Sequence, residues 1–160
     1  MSSSRLGNLD VHIEGARLRL SGRIDEASPV GDLAARLPPG PIIIDTGGVE
    51  FVNSVGLREW MRLVRTLSAQ GTVTLERVAD PLMTQMNLIS EFSGQVRIAS
   101  FHAPYVCPAC GAEANPLVDV DANAQALAAL KPPPIPCPEC GAAMELGDFP
   151  ERYLSIFQDD

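Results

Sequence analysis

Four cysteines, arranged as two copies of one short pattern, constrain this 160-residue chain more than any other feature. Cys107-Pro108-Ala109-Cys110-Gly111 is matched by Cys137-Pro138-Glu139-Cys140-Gly141, with 26 residues between Cys110 and Cys137. Two residues between thiolates let one tight turn aim both sulfurs at a single metal ion, with backbone amides supporting the sulfurs. Glycine directly after the second sulfur permits the positive φ that such a knuckle requires. Two knuckles make a tetrahedral four-sulfur site, which suits Zn²⁺ in a structural role; iron in the same geometry is the open alternative. A dithiol redox pair would place its first cysteine at a helix start behind a strand, and neither pair has that setting. His102 is close to Cys107 in sequence, but four thiolates already complete the site, so it is not expected to be a ligand. The expected ligands are Cys107, Cys110, Cys137 and Cys140.

The length allows one ordinary domain or two small ones. Met1-Ser2-Ser3-Ser4-Arg5 leads into no apolar run, which predicts no signal peptide. Close cysteine pairs without an export signal favour metal over disulfides, and hence a cytoplasmic location. No stretch approaches the ~20 apolar residues of a membrane span, so no membrane insertion is expected. Charge is uneven. Residues 1–100 carry ten Arg and eleven Asp or Glu, whereas residues 101–160 carry Lys131 and Arg152 against nine Asp or Glu. Four metal-bound thiolates would add to that negative charge. Such a chain gains nothing from a phosphate backbone, so nucleic acid is not expected as a partner.

Hydropathy patterning places the other elements. His12-Ile13 and Leu18-to-Gly22 read as two short strands turning at Glu14-Gly15, with Arg17 and Arg19 on a wet face. Ser28-Pro29 is a cap followed by proline, opening a helix through Val30, Leu33, Ala34 and Leu37 that Pro38-Pro39-Gly40 stops. Ile42-Ile43-Ile44 reads as a buried central strand, Asp45 to Val52 as a glycine turn, and Leu57, Met61, Val64 and Leu67 as the stripe of an amphipathic helix. Asn53-Ser54 supplies the N-cap, a task read here for Ser54, which lies near an exposed helix N-terminus. Trp60 is expected at the edge of the core. Thr72 to Leu75 alternates as a strand, Asp80-Pro81 opens a third helix through Leu82, Met86 and Ile89 that Ser93-Gly94 ends, and Val96 and Ile98 give a last strand. The order ββαβαβαβ predicts an α/β fold, a mixed sheet with helices packed on it.

From Phe101 the composition changes, which divides the chain into residues 1–100, a metal-binding module over 101–148 and an apolar tail over 149–160. Between the knuckles, Asn115 to Pro136 reads as a short helix and a stiff extended return through Pro132-Pro133-Pro134. Phe149, Tyr153, Leu154, Ile156 and Phe157 have roughly helical spacing, suited to packing back on the sheet or meeting a partner.

Phe51-Val52-Asn53-Ser54-Val55-Gly56-Leu57 resembles the signature of STAS domains, Phe-x-Asp-Ser-Ser/Thr-Gly-Leu. These domains occur in bacterial anti-sigma factor antagonists and in the tails of sulfate transporters. The strand order of the first 100 residues and the Gly22-Arg23-Ile24-Asp25 strand end are similar to the same family. The paired knuckles resemble a zinc ribbon. The resemblance implies a STAS-like mixed sheet in which Gly22, Asp25, Asn53, Ser54, Val55, Gly56, Arg58 and Arg62 face a protein partner, an anti-sigma factor or its kinase. Asn53 stands where the family has Asp. Val55 stands where the family carries its phosphorylated Ser or Thr, so the usual switch is not expected; Ser54 is the remaining hydroxyl acceptor.

No constellation of residues points to catalysis: the two histidines are far apart in sequence, the cysteines are claimed by metal, and the carboxylates are scattered. The expected function is a non-catalytic cytoplasmic protein-interaction module in signalling. The alternatives are a metal-thiolate redox sensor and a structural scaffold component. Arg58, Arg62 and Arg65 share one side of the helix, either as a solvated face or as a docking surface for an acidic partner.

Overall fold

Strand alternation in the first hundred residues resolves into one apolar row. In the computed structural model, which describes residues 2–89 and 95–158, Ile13, Leu18, Ile44, Leu75 and Ile98 lie side by side across five strands, all buried. The main sheet contains β1 (Ser2–Leu6), β2 (Leu9–Glu14), β3 (Arg17–Ile24), β4 (Ile42–Val52), β5 (Val73–Glu76) and β6 (Arg97–Ile98), in that spatial order. β1 to β3 run antiparallel and β3 to β6 parallel, so the molecule is a mixed α/β fold. The reverse face carries Arg17, Ile43, Thr74 and Arg97 in register. Ile43 is 37% exposed there, so the isoleucine run is central but not buried on both faces.

The glycines after Asp45 do not make a turn. β4 continues to Val52, and Asp45 Oδ1 accepts from the Gly47 amide at 2.9 Å. The register against β3 slips there and again opposite Gly22, whose φ is +112°. β4 therefore carries two bulges, which re-aim its end toward the following helix.

That helix, α1 (Ser54–Ser68), buries Leu57, Trp60, Leu63, Val64 and Leu67. Trp60 is completely buried rather than at the core edge, because the extra turn of stripe through Leu63 turns it onto the sheet. The segment after Pro29 is a tighter 3-10 helix, Val30–Arg36, packed against α1. Ser28 does not cap it: its hydroxyl donates to the Arg23 carbonyl and to Asp25. α2 (Asp80–Met86) begins after Ala79 with Asp80 and Pro81 in its first turn, and it ends before Ile89. The expected stop at Ser93-Gly94 lies outside the described residues.

β7 (Ser100–His102) continues from β6 and bridges to Val78. A second, four-stranded sheet is built from β8 (Tyr105–Val106), β9 (Glu113–Ala114), β11 (Ile135–Pro136) and β12 (Ala143–Leu146), in the order β11-β12-β8-β9. Between β9 and β11 the chain sends β10 (Leu117–Asp119) back to pair with β7, placing Val118 opposite Phe101, and then forms α3 (Ala124–Ala128). The extended return through Pro133 is held by the Tyr105 hydroxyl, which donates to its carbonyl at 2.8 Å.

The tail packs back. α4 (Pro150–Tyr153) buries Tyr153, whose hydroxyl donates to Asp80 Oδ1 at 2.6 Å. Phe157 lies 5.3 Å from Phe101 between ring centroids, and the Ile156 amide donates to Asn87 Oδ1 at 3.0 Å. Burial of Tyr153 and Leu154 explains the helical spacing of the tail. Phe149 stays out, 66% exposed.

Candidate metal centre and partner-facing surface

The two knuckles are built alike. The Cys107 and Cys137 amides donate to the carbonyls of Ala112 and Ala142, at 2.8 and 2.7 Å. The Gly111 and Gly141 amides then close each turn on Cys107 and Cys137 at 2.8 and 2.9 Å. Gly111 and Gly141 have φ of +77° and +80°, the conformation for which glycine was needed. The repeat therefore extends one residue further than the knuckles themselves, to Cys-Gly-Ala in both copies.

These turns bring four sulfurs together. Cys107 Sγ lies 3.5 Å from Cys140 Sγ, and Cys110 Sγ lies 3.7 Å from Cys137 Sγ. All four are within 4.8 Å of one another, and His102 is not among them. A tetrahedron with metal–sulfur bonds of about 2.3 Å has sulfur–sulfur edges of about 3.8 Å, so the cluster has the size of a tetrathiolate site. The four cysteines could hold a metal ion. Cys107 and Cys137 are buried while Cys110 and Cys140 reach the surface.

Without a cation the sulfurs differ in acidity. The Cys110 amide, followed by that of Ala109, draws the Cys107 thiol down to about 7 against the effect of burial. The Ala112 amide acts the same way on Cys110, but burial and the neighbouring sulfurs outweigh it and push that thiol up to about 12. Cys140 is also raised: the Ala142 amide lowers it, and Cys107 in particular opposes that. Crowded sulfurs resist sharing several negative charges, and a metal ion removes that conflict by taking the place of the protons.

The second candidate region is the N-terminus of α1. Asn53 is its cap: Oδ1 accepts from the Gly56 amide at 2.8 Å, and Nδ2 donates to Glu26 at 2.7 Å. Ser54 is the first helical residue and is exposed, so the capping role expected of it belongs to its neighbour. Replacing Asn53 with alanine should cost about 1 kcal/mol in urea denaturation. Ser54→Ala should change stability by less than about 0.5 kcal/mol, the range of an ordinary surface substitution. Equal losses for the two would reverse the assignment.

The other residues expected at this surface fall into two groups. Ser54, Val55 and Arg58 are exposed, and Val55 is 42% accessible. Arg62 is also at the surface but is engaged by Glu59 and Asp32, both at 2.7 Å, which raise its pKa. Gly56 and Asp25 are buried. Asp25 anchors the turn after β3: its carboxylate is held below the usual range by Asn8 and then, against burial, by the Ala27 amide, Ser28 and Arg23. Gly22 sits further back, where a Cβ would lie 2.5 Å from the Asn8 carbonyl oxygen. Asn8 and Glu26 join this region through long-range side-chain pairing, with Asp25 and Asn53, rather than through a motif.

No family model matches the chain, and no curated protein matches it either. Among the described residues, no helix is long and apolar enough to cross a membrane.

Proposed function

We propose that this chain is a non-catalytic protein-interaction module of bacterial signalling, a STAS-like domain whose partner docks on the N-terminus of α1, followed by a zinc ribbon. The observation that carries the docking reading is Val55, an exposed apolar side chain flanked by exposed Ser54 and Arg58 at the start of a helix. Isolated exposed valines are ordinary, but here the cap, the bulged end of β4 and the anchored turn at Asp25 all hold the same short segment rigid. Val55 occupies the position of the family's phosphoacceptor, so docking here would not be gated there. Among the described strands the order in the main sheet never reverses, so they form no switch-point crevice of the kind where open α/β sheets bind small ligands. The tetrathiolate geometry supports Zn²⁺ as a structural ion, since its role would be to join two knuckles and not to hold an open coordination position.

The test is affinity capture from the protein's own cells with wild type and with Val55→Glu and Arg58→Glu, both exposed positions that should leave the fold intact. An anti-sigma factor or its kinase should be recovered with wild type and lost with both variants, with Ser54 checked for phosphate by mass spectrometry. The same proteins recovered with all three baits would remove α1 from the interface. Metal analysis of the purified protein should find one zinc per chain; a coloured iron protein would replace the zinc assignment.

A further inference from the structure

The small sheet carries a surface of its own, distant in character from α1. Register places Glu145 of β12, Val106 of β8 and Glu113 of β9 in one row across three strands. Neighbouring strands lie about 4.8 Å apart, so the two glutamates flank the valine at roughly 10 Å from each other. All three are exposed, Val106 by 37%. Beside this row runs a groove of about 500 Å³, lined by Asp80, Pro104, Tyr105, Val106, Glu113 and Gly147. Its lining is mixed, with Pro104 and Val106 beside two carboxylates, Asp80 and Glu113.

The charges of this row are unanswered. Among the described residues, Glu113 and Glu145 form no ion pair. The main sheet behaves differently: Arg5 is paired with Asp10, Arg17 with Glu76, Arg19 and Arg77 with Asp45, Arg23 with Asp25, and Arg97 with Asp121. A second copy therefore has few free arginines to set against the row, because its own carboxylates already hold them. Residues 101–160 carry nine acidic residues and only Lys131 and Arg152 in return, so the field over this face is negative.

We propose that the β8–β9–β12 face is a docking surface for a basic segment of another protein, one with cationic side chains on either side of an apolar residue. The apolar residue would sit on Val106 at the edge of the groove, and the cations would meet Glu113 and Glu145. This surface is independent of the α1 reading and stands or falls separately.

The probe is the peptide acetyl-Gly-Arg-Gly-Val-Gly-Arg-Gly-amide, with glutamine in place of both arginines as control, titrated into the metal-loaded full chain at low salt and followed by amide NMR. Saturating shift changes should concentrate on β8, β9 and β12, weaken as salt is added, and be absent with the control peptide. The double variant Glu113→Gln/Glu145→Gln, at exposed positions and with metal content unchanged, should bind about fivefold or more weakly, as expected for losing two exposed charge pairs. Three results would overturn the proposal: no localised shifts, equal shifts with the control peptide, or undiminished binding by the double variant. Self-association of the chain by sedimentation that the same double variant abolishes would also overturn it, assigning the face to a second copy.

Discussion

Treating the full chain with a chelator should unfold the second sheet and leave the first one standing, if the four cysteines hold a metal ion as their geometry allows. The reason is the size of the parts. β8, β9 and β11 are two residues long and β12 is four, and the buried side chains they contribute are chiefly Tyr105, Met144 and the sulfurs of Cys107 and Cys137. A core this small does not offset the ordering of its own loops, and a metal centre commonly supplies the difference. Structural zinc contributes an apparent ~10 kcal/mol or more in isolated fingers at neutral pH, comparable with the whole stability of a typical domain. Removing the ion also leaves four crowded thiols, three of which the surroundings treat unequally. The main sheet has a separate core, and β7, β10 and the tail are tied to it through Phe101, Val118 and Tyr153. Hydrogen exchange after chelation should therefore lose protection over residues 105–114 and 135–146 while residues 42–75 keep theirs. Cys137→Ser should produce the same pattern without a chelator. Unchanged exchange in both regions would show that the cluster is not what holds this sheet together.

How much of this was legible in the sequence depends on whether the determinant is local. The knuckles were, because two cysteines, a proline and a glycine fix their own turn, and the structure adds only that the copies meet. The apolar row was legible strand by strand from Ile13, Leu18, Ile44, Leu75 and Ile98. Gly47-Gly48 misled because a glycine pair signals a turn, whereas the Asp45 side chain and the neighbouring β3 convert it into a bulge. β1 left no trace: Ser2-Ser3-Ser4 has no apolar alternation, and the strand exists through its pairing with β2. β10 is similar, a three-residue strand recruited by Phe101. The choice between Asn53 and Ser54 as cap is a matter of one residue's φ and ψ, which no pattern of residue types fixes at that precision. The hydrogen bond that Asn8 donates to Asp25 and the ion pair of Arg77 with Asp45 join residues far apart in the chain and have no signature at all.

Replacing Gly56 with alanine should have one of the largest effects of any single methyl addition in the main domain, beside that at Gly7, where a Cβ would lie 1.8 Å from the Ala27 carbonyl oxygen. A Cβ built on Gly56 would lie 1.9 Å from the Ile24 carbonyl oxygen, 2.4 Å from its carbon and 2.9 Å from the Asp25 amide nitrogen. These are backbone atoms of the end of β3, so no side chain can swing aside to relieve the contact. The helix must move away or the strand end must bend. Either response strains the bond from the Asn53 amide to the Ile24 carbonyl, now 3.3 Å, and the cap that Asn53 makes to the Gly56 amide. It also displaces Leu57 and Trp60, which follow in the same turn and are buried against the sheet. Overpacking costs typically 1–3 kcal/mol, and lost capping adds about 1 kcal/mol, so a loss of about 3 kcal/mol in urea denaturation is expected. Gly31 offers the contrast: a Cβ there would approach the Arg62 guanidinium, the movable end of a flexible side chain, so Gly31→Ala should cost less than a third as much. The comparison separates close backbone approach from general intolerance of added volume. If the two substitutions proved equally mild, the helix would have room to shift, and the rigid presentation of Ser54, Val55 and Arg58 would lose its structural basis.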